Sequence, residues 1–111
     1  MKKVLFVCSA NKQRSKTAED YFSEIYPNLE FKSAGTNHKI CAKEGTTPLT
    51  QDMIEWADKV FLMEEKHLKI VKGHIGNKFF NKMEVLNIPD IFKYYQSELL
   101  ELLSKKVNLL E

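Results

Sequence analysis

Apolar side chains in this sequence fall into short continuous runs separated by segments with helical spacing. The first run, residues 4–7, combines β-branched, aromatic and leucine side chains, which is typical of a strand buried on both faces of a parallel sheet. The same criteria predict three more strands, over residues 29–35, 59–63 and 83–89. Gly35 stops the second strand and Pro89 the fourth, and Leu29 and Phe31 fall on one face of the second.

Four segments between and after these strands have the spacing of helices. The first helix ends before Pro27, Thr50 can cap the second and Ser97 the last, and a further helix is predicted over residues 64–72. The side chains predicted to face the core are Ala18, Phe22 and Ile25 in the first helix, Met53, Ile54 and Ala57 in the second, and Leu99, Leu100, Leu103, Val107 and Leu110 in the last.

Two connections, residues 36–48 and 73–82, contain turn formers and charges. We expect the first to be an exposed loop with a brief helical turn at most. Four strands alternating with four helices predict a doubly wound, three-layer α/β/α fold around a four-stranded parallel sheet. With 111 residues, 43% of them hydrophobic, the chain predicts a single domain over residues 1–111 with one core.

Charge and cysteine content argue against several classes of protein. The 17 basic and 15 acidic side chains give a net charge of +2 without a block of one sign, so neither a nucleic-acid nor a membrane partner is expected. The 2 cysteines are too few for a disulfide scaffold, which favours a reducing, cytoplasmic location. The N-terminus begins like a signal peptide but lacks a cleavage pattern, so we interpret it as the first strand.

The loop after the first strand contains the candidate chemistry. Arg14 follows Cys8 between a buried strand and a helix. Successive backbone N–H groups of such a loop can form a nest on the positive end of the helix dipole, which suits phosphate, sulfate or vanadate. The planar guanidinium of Arg14 matches two oxygens of that anion. The predicted anion-binding residues are Ser9, Ala10, Asn11, Lys12, Gln13, Arg14 and Ser15.

Cys8 is the candidate nucleophile of this loop. It lies in the positive field of the nest, which favours the thiolate form. Ser15 can donate its hydroxyl to the sulfur and stabilise it as a leaving group. Asn11 tolerates left-handed backbone geometry and can hydrogen-bond across the loop, and Lys12 adds to the positive potential.

A candidate acid follows the fourth strand. The carboxyl ends of parallel strands meet at one edge of the sheet, so Asp90 is expected near Cys8, with the aromatic rings that follow shielding it. A thiolate in a phosphate site suggests attack on phosphorus and a phosphocysteine intermediate, with Asp90 protonating the departing oxygen. His38, His67 and His74 lack the spacing of metal ligands, and neither a metal nor another cofactor is expected.

Four segments, VLFVCSANKQRS, SAGT, WADKVFLME and IPD, together resemble the low-molecular-weight protein tyrosine phosphatase family, in particular its short bacterial members. The resemblance implies a phosphatase P-loop after the first strand. It also implies hydrolysis of a phosphomonoester, with a phosphotyrosine protein or a small phosphomonoester as substrate. The implied roles are nucleophile for Cys8, phosphate clamp for Arg14, general acid for Asp90, and loop support for Asn11 and Ser15, with Ser33 of SAGT supporting the Asn11 side chain.

Alternatives remain open at this stage. An arsenate reductase-like enzyme needs relay thiols, but the remaining cysteine, Cys41, is interpreted as an inert packing thiol. A sugar-transport phosphocarrier has no need of Arg14. A non-catalytic module that binds a phosphorylated ligand could keep the anion site without the chemistry. Tyr94 and Tyr95 fit either the wall of a pocket or the packing of a helix.

Overall fold

The computed structural model describes residues 2–109, in which four strands form one sheet. The strands are β1 (Lys3–Cys8), β2 (Glu30–Gly35), β3 (Lys59–Leu62) and β4 (Met83–Val85). They lie in the order β2–β1–β3–β4, and every neighbouring pair is parallel. Because a parallel pair needs a crossover connection, helices cover the sheet. The predicted α/β fold with a four-stranded parallel sheet is confirmed.

Within residues 2–109 there are five α-helices, one more than predicted. They are α1 (Arg14–Ile25), α2 (His38–Glu44), α3 (Gln51–Trp56), α4 (Glu65–Ile75) and α5 (Ser97–Lys106), and a 3₁₀ helix (Phe80–Lys82) precedes β4. None of the helices in this part of the chain is long and apolar enough to cross a membrane.

The additional helix is α2, which lies where an exposed loop was predicted. The Asn37 side chain accepts a hydrogen bond from the Ile40 N–H, and Gly45 ends the helix with a left-handed φ of 72°. Only Cys41 of this helix is buried. Seven mostly exposed residues with one inward position give little apolar periodicity, so the caps were the available signal.

The fourth strand is shorter than predicted and ends at Val85 instead of residue 89. Asn87 has a left-handed φ of 57°, which interrupts regular strand geometry. The N–H groups of Leu86 and Ile88 still bond to the carbonyl oxygens of Leu62 and Met63, at 2.8 Å each. The segment therefore stays attached to the end of β3 and directs the chain across the carboxyl edge of the sheet.

Two details of the predicted helices are also wrong, and a third concerns a residue that the structure does not describe. Ile25 is 46% exposed instead of facing the core. Gln96, not Ser97, is the N-cap residue of α5. Leu110, predicted on the stripe of the last helix, lies outside the described residues.

Alternate residues of β1 pack into two separate cores. Val4, Phe6 and Cys8 belong to the core under α1 and α5, whereas Leu5 and Val7 belong to the core under α3 and α4. All five are at most 3% exposed. This burial on both faces fixes the end of β1, and with it the start of the next loop.

Candidate active site

The loop between β1 and α1, residues 9–13, lies at the carboxyl edge of the sheet and forms one side of a pocket of about 230 Å³. Cys8, at the end of β1, is 3% exposed. The lining residues are Cys8, Ser9, Ala10, Lys12, Gln13, Arg14, Ile40, Glu44 and Asp90. The structure therefore brings together most of the predicted site residues. Asn11, Ser15 and Ser33 are buried and do not line the pocket.

Cys8 and Ser15 are joined by a buried hydrogen bond whose direction follows the ionisation of the thiol. The Cys8 Sγ and Ser15 Oγ atoms are 2.9 Å apart, and the Asn11 Nδ2 atom donates to the same Oγ at 2.9 Å. A thiolate has no hydrogen to donate, so with Cys8 ionised the Ser15 hydroxyl donates to the sulfur while its oxygen accepts from Asn11. The sulfur thus faces a buried hydroxyl donor.

Asn11 holds the middle of the β1–α1 loop. Its φ of 53° is left-handed, and its Oδ1 atom accepts from the Thr47 N–H at 3.2 Å. Thr46 donates its hydroxyl to the Ala10 carbonyl oxygen at 2.6 Å. The expected contact of Ser33 with Asn11 is wrong, because the Ser33 hydroxyl instead donates to Glu19 on α1.

The close approach of this loop to β2 requires a glycine. A Cβ atom built on Gly35 would lie 2.5 Å from the Ser9 carbonyl oxygen and 2.6 Å from the Cys41 sulfur. Cys41 is fully buried beneath the loop, with its sulfur 3.6 Å from the Ala10 carbonyl oxygen. Gly35 and Cys41 thus lie directly against the backbone of the loop.

Arg14 is buried, with a side chain that is 2% exposed. Its Nη1 atom donates to Glu64 Oε2 at 2.6 Å and to the Ile88 carbonyl oxygen at 2.8 Å. Its Nε atom lies 3.8 Å from Asp90 Oδ1. Both Nη1 hydrogens are therefore engaged by the protein, and the Nε–Nη2 edge is the one that can bind an anion in a bidentate manner.

Glu64 and His67 are two further residues at the site that are not among the predicted site residues. His67 is fully buried, its Nδ1 atom accepts the Glu64 N–H at 3.0 Å, and its Nε2 atom is 2.9 Å from Ser9 Oγ. With Nδ1 accepting, the neutral ring carries its hydrogen on Nε2 and donates it to Ser9. Burial and the nearby Arg14 charge lower the pKa of His67 to about 4. The available signal was their position, directly after the end of β3.

Asp90 is exposed at the mouth of the pocket. Its side chain is 60% exposed, so the following rings do not enclose it as expected. Tyr94 donates to Asp20 Oδ2 at 2.5 Å, and the Tyr95 N–H bonds to Thr17 Oγ1 at 2.8 Å. Both tyrosines thus pack on α1, and neither lines the pocket.

Helix α2 supplies the outer rim of the pocket. Ile40, 39% exposed, and Glu44 project from this helix into the pocket lining. The Lys12 ammonium lies 2.5 Å from Glu44 Oε1, and this hydrogen bond lowers the pKa of Glu44. The positive charge that Lys12 was expected to add is therefore paired with a carboxylate.

Comparison with known proteins agrees with this geometry. The family model described as low molecular weight phosphotyrosine protein phosphatase matches residues 3–57, which include β1, the loop and β2. The chain is 29% identical to a protein-arginine-phosphatase of Bacillus subtilis over an alignment of 136 positions, which covers 90% of this chain and 91% of the relative. Over residues 3–57 the chain is similar to the low-molecular-weight phosphotyrosine protein phosphatase family.

Two further comparisons extend the likeness. The low molecular weight protein-tyrosine-phosphatase PtpB of Staphylococcus aureus is 27% identical over an alignment of 92 positions, which covers 67% of this chain. The chain spans 65% of the length of that relative. The crystal structure of the tyrosine phosphatase Wzb from Escherichia coli K30, in complex with phosphate, superposes with a TM-score of 0.74 at 20% identity, covering 94% of this chain and 91% of Wzb. The last match supports the fold.

Proposed function

We propose that this chain is a cysteine-dependent phosphatase that hydrolyses a phosphomonoester through a phosphocysteine intermediate. One observation carries the proposal: the Cys8 sulfur, with the Ser15 hydroxyl at 2.9 Å, opens into the same pocket as Arg14 and Asp90. Nucleophile, anion clamp and acid are thereby available to one bound phosphoryl group.

The reaction proceeds in two steps. The Cys8 thiolate attacks phosphorus, the phosphorus–oxygen ester bond breaks, and the leaving oxygen takes its proton from Asp90. A water molecule then gives a proton to the Asp90 carboxylate and attacks the phosphocysteine. Inorganic phosphate leaves and the sulfur departs as a thiolate, which the Ser15 hydroxyl stabilises. The Nε–Nη2 edge of Arg14 contacts the phosphoryl oxygens in both steps.

For the substrate we propose a phosphorylated protein in the cytoplasm, with phosphotyrosine as the first candidate because the S. aureus relative is named for that activity. Cys8 and Cys41 are buried free thiols, which is compatible with a reducing compartment. We further propose that residues 1–111 act as one domain. Phosphate, sulfate and vanadate should bind in the pocket as competing anions.

A second candidate substrate is phosphoarginine in a protein, after the name of the B. subtilis relative; here Cys8 would break a phosphorus–nitrogen bond and Asp90 would protonate the departing guanidine nitrogen. Among the described residues, no aromatic side chain lines the pocket, and its rim carries Ile40 with the carboxylates of Glu44 and Asp90. A phenyl ring would find only an aliphatic contact there. A guanidinium leaving group would find two acceptors for its N–H donors.

The structure weakens the case for an arsenate reductase. Such an enzyme passes a disulfide outward through further thiols, whereas Cys41 is fully buried between the β1–α1 loop and the Thr47 carbonyl. The remaining alternative is a binding module, which would hold a phosphorylated ligand in the same pocket without hydrolysing it.

The test is a turnover panel of matched peptides carrying phosphotyrosine, phosphoarginine or phosphoserine, with Cys8→Ser as the inactive control. We expect release of inorganic phosphate from phosphotyrosine or phosphoarginine peptides, and none with Cys8→Ser. Binding of vanadate without turnover of any substrate would contradict the enzymatic proposal and favour a binding module.

A further inference from the structure

The segment that joins β3 to the first turn of α4, residues 63–67, contacts the β1–α1 loop and Arg14. Met63 is fully buried and bonds through its N–H to the Val7 carbonyl oxygen at 2.9 Å. The two polar side chains that follow, Glu64 and His67, reach different parts of the anion site. The hydrogen bond between Met63 and β1 therefore places Glu64 and His67 beside the residues proposed to bind the anion.

Glu64 determines which edge of the Arg14 guanidinium faces the pocket. Its Oε2 atom and the Ile88 carbonyl occupy the two Nη1 hydrogens. Because the guanidinium is planar, fixing Nη1 from two directions also fixes the plane and direction of the Nε–Nη2 edge. The ion pair is short, at 2.6 Å, and lowers the pKa of Glu64, while Lys66 at 3.6 Å is the other cation beside this carboxylate.

His67 holds the first residue after the nucleophile. Its Nε2–H donates to the hydroxyl of Ser9, and the Ser9 carbonyl oxygen accepts from the Asn37 N–H at 3.0 Å on the other side. The ring cannot rotate without losing its second bond, to the Glu64 N–H. Ser9 is therefore held between α4 and the start of α2.

We propose that Glu64 and His67 are positioning residues that preset the anion site before substrate binds. Glu64 orients Arg14, and His67 holds Ser9 in the β1–α1 loop. The kinetic consequence rests on the proposed phosphatase function, whereas the effect on anion binding does not. Neither side chain needs to touch the substrate.

The first test measures vanadate affinity by calorimetry for Glu64→Ala, Glu64→Gln and the matched control Glu65→Gln. Glu65 is the exposed neighbour in the first turn of α4. We expect Glu64→Ala to weaken vanadate binding about tenfold, because Arg14 loses its orientation. Glu64→Gln, whose amide oxygen can still accept from Nη1, should stay within about threefold of wild type.

Tighter vanadate binding by the Glu64 variants would overturn this assignment. If Glu64 acts only as a nearby negative charge, both Glu64→Ala and Glu64→Gln must bind the anion more tightly than wild type. A double-mutant cycle gives a second criterion: in an Arg14→Ala background, Glu64→Ala should have no further effect, and additive effects would contradict orientation through Arg14.

The second test concerns His67→Asn, with His74→Asn as the control on the same helix. The shorter amide keeps an acceptor near the Glu64 N–H but cannot reach Ser9. We expect weaker vanadate binding for His67→Asn that disappears in a Ser9→Ala background, and an unchanged affinity for His74→Asn. Additive effects of His67→Asn and Ser9→Ala would overturn the assignment. If all variants follow these expectations but wild type releases no phosphate from any substrate, the proposed function fails and the positioning inference stands.

Discussion

The Cys8 sulfur lies 2.9 Å from the Ser15 hydroxyl oxygen, and that oxygen also accepts a hydrogen bond from the Asn11 amide at 2.9 Å. All three residues are buried, at 3% exposure or less. Ser15 is therefore placed to stabilise negative charge on the sulfur whenever Cys8 is ionised, which the proposed reaction requires both for attack and when the sulfur leaves. Hydrogen bonds to charged groups contribute about 1.5–3 kcal/mol.

Ser15→Ala should lower kcat by about 10- to 100-fold, the equivalent of that hydrogen bond. The matched control is Ser23→Ala, on the same helix, whose hydroxyl donates to the Glu19 carbonyl oxygen of that helix. Steady-state kinetics with thermal unfolding in parallel checks the prediction. A wild-type kcat in a folded Ser15→Ala protein would contradict the assigned role.

Arg14→Lys should lower kcat/KM at least tenfold, or about 1.4 kcal/mol. Lysine keeps the positive charge but loses the planar edge that binds two oxygens, and it cannot satisfy both Glu64 and Ile88 in the same geometry. Lys16→Arg, an exchange outside the pocket lining, is the reverse control and should leave kcat/KM unchanged. An unchanged rate for Arg14→Lys would show that charge alone suffices.

His67 should make the free energy of unfolding fall between about pH 6.5 and pH 4. Burial lowers its pKa in the folded protein from 6.5 to about 4, so the unfolded chain takes up the proton first as the pH decreases. The contribution of neutral His67 to the free energy of unfolding is intact above pH 6.5. It decreases by up to about 3 kcal/mol by pH 4.

Urea unfolding across this pH range measures the effect. His67→Gln should show a shallower loss of stability than wild type, whereas His74→Gln should follow wild type. Parallel curves for wild type and His67→Gln would indicate that other groups account for the acid sensitivity.

Asp90→Asn should slow turnover of phosphotyrosine far more than turnover of nitrophenyl phosphate. A phenol with a pKa of about 10 needs protonation as it leaves, which contributes roughly 10²- to 10⁴-fold, while a more acidic phenol needs little help. Folding should be unaffected, because the Asp90 side chain is 60% exposed. An equal loss on both substrates would mean that Asp90 positions the loop and another group supplies the proton.

The sequence predicted best those parts of the site that are local in the chain. Cys8 and Arg14 lie at the two ends of one short loop, so their spacing and the flanking strand and helix already restrict where their side chains can go. The position of Asp90 followed from a rule about parallel sheets, in which the carboxyl ends of the strands meet at one edge.

Contacts between distant elements could not be predicted in this way. Glu64 reaches Arg14 and His67 reaches Ser9 only because β3 lies beside β1. Thr47 contacts Asn11 because the chain returns to the loop after α2. Ser33 shows the same limit. Its strand agrees with the prediction, but its hydroxyl bonds to Glu19, because the partner of a side chain depends on how the elements pack and cannot be read from one sequence.

Chemical trapping of the intermediate tests the central claim most directly. Reaction of the Asp90→Asn protein with a nitrophenyl phosphate substrate, quenched in acid within the first turnover, should give a peptide that carries one phosphoryl group on Cys8. Loss of the general base for the second step should increase the amount trapped relative to wild type. Turnover without any phosphoryl group on Cys8, or with the group on another residue, would contradict catalysis through a phosphocysteine.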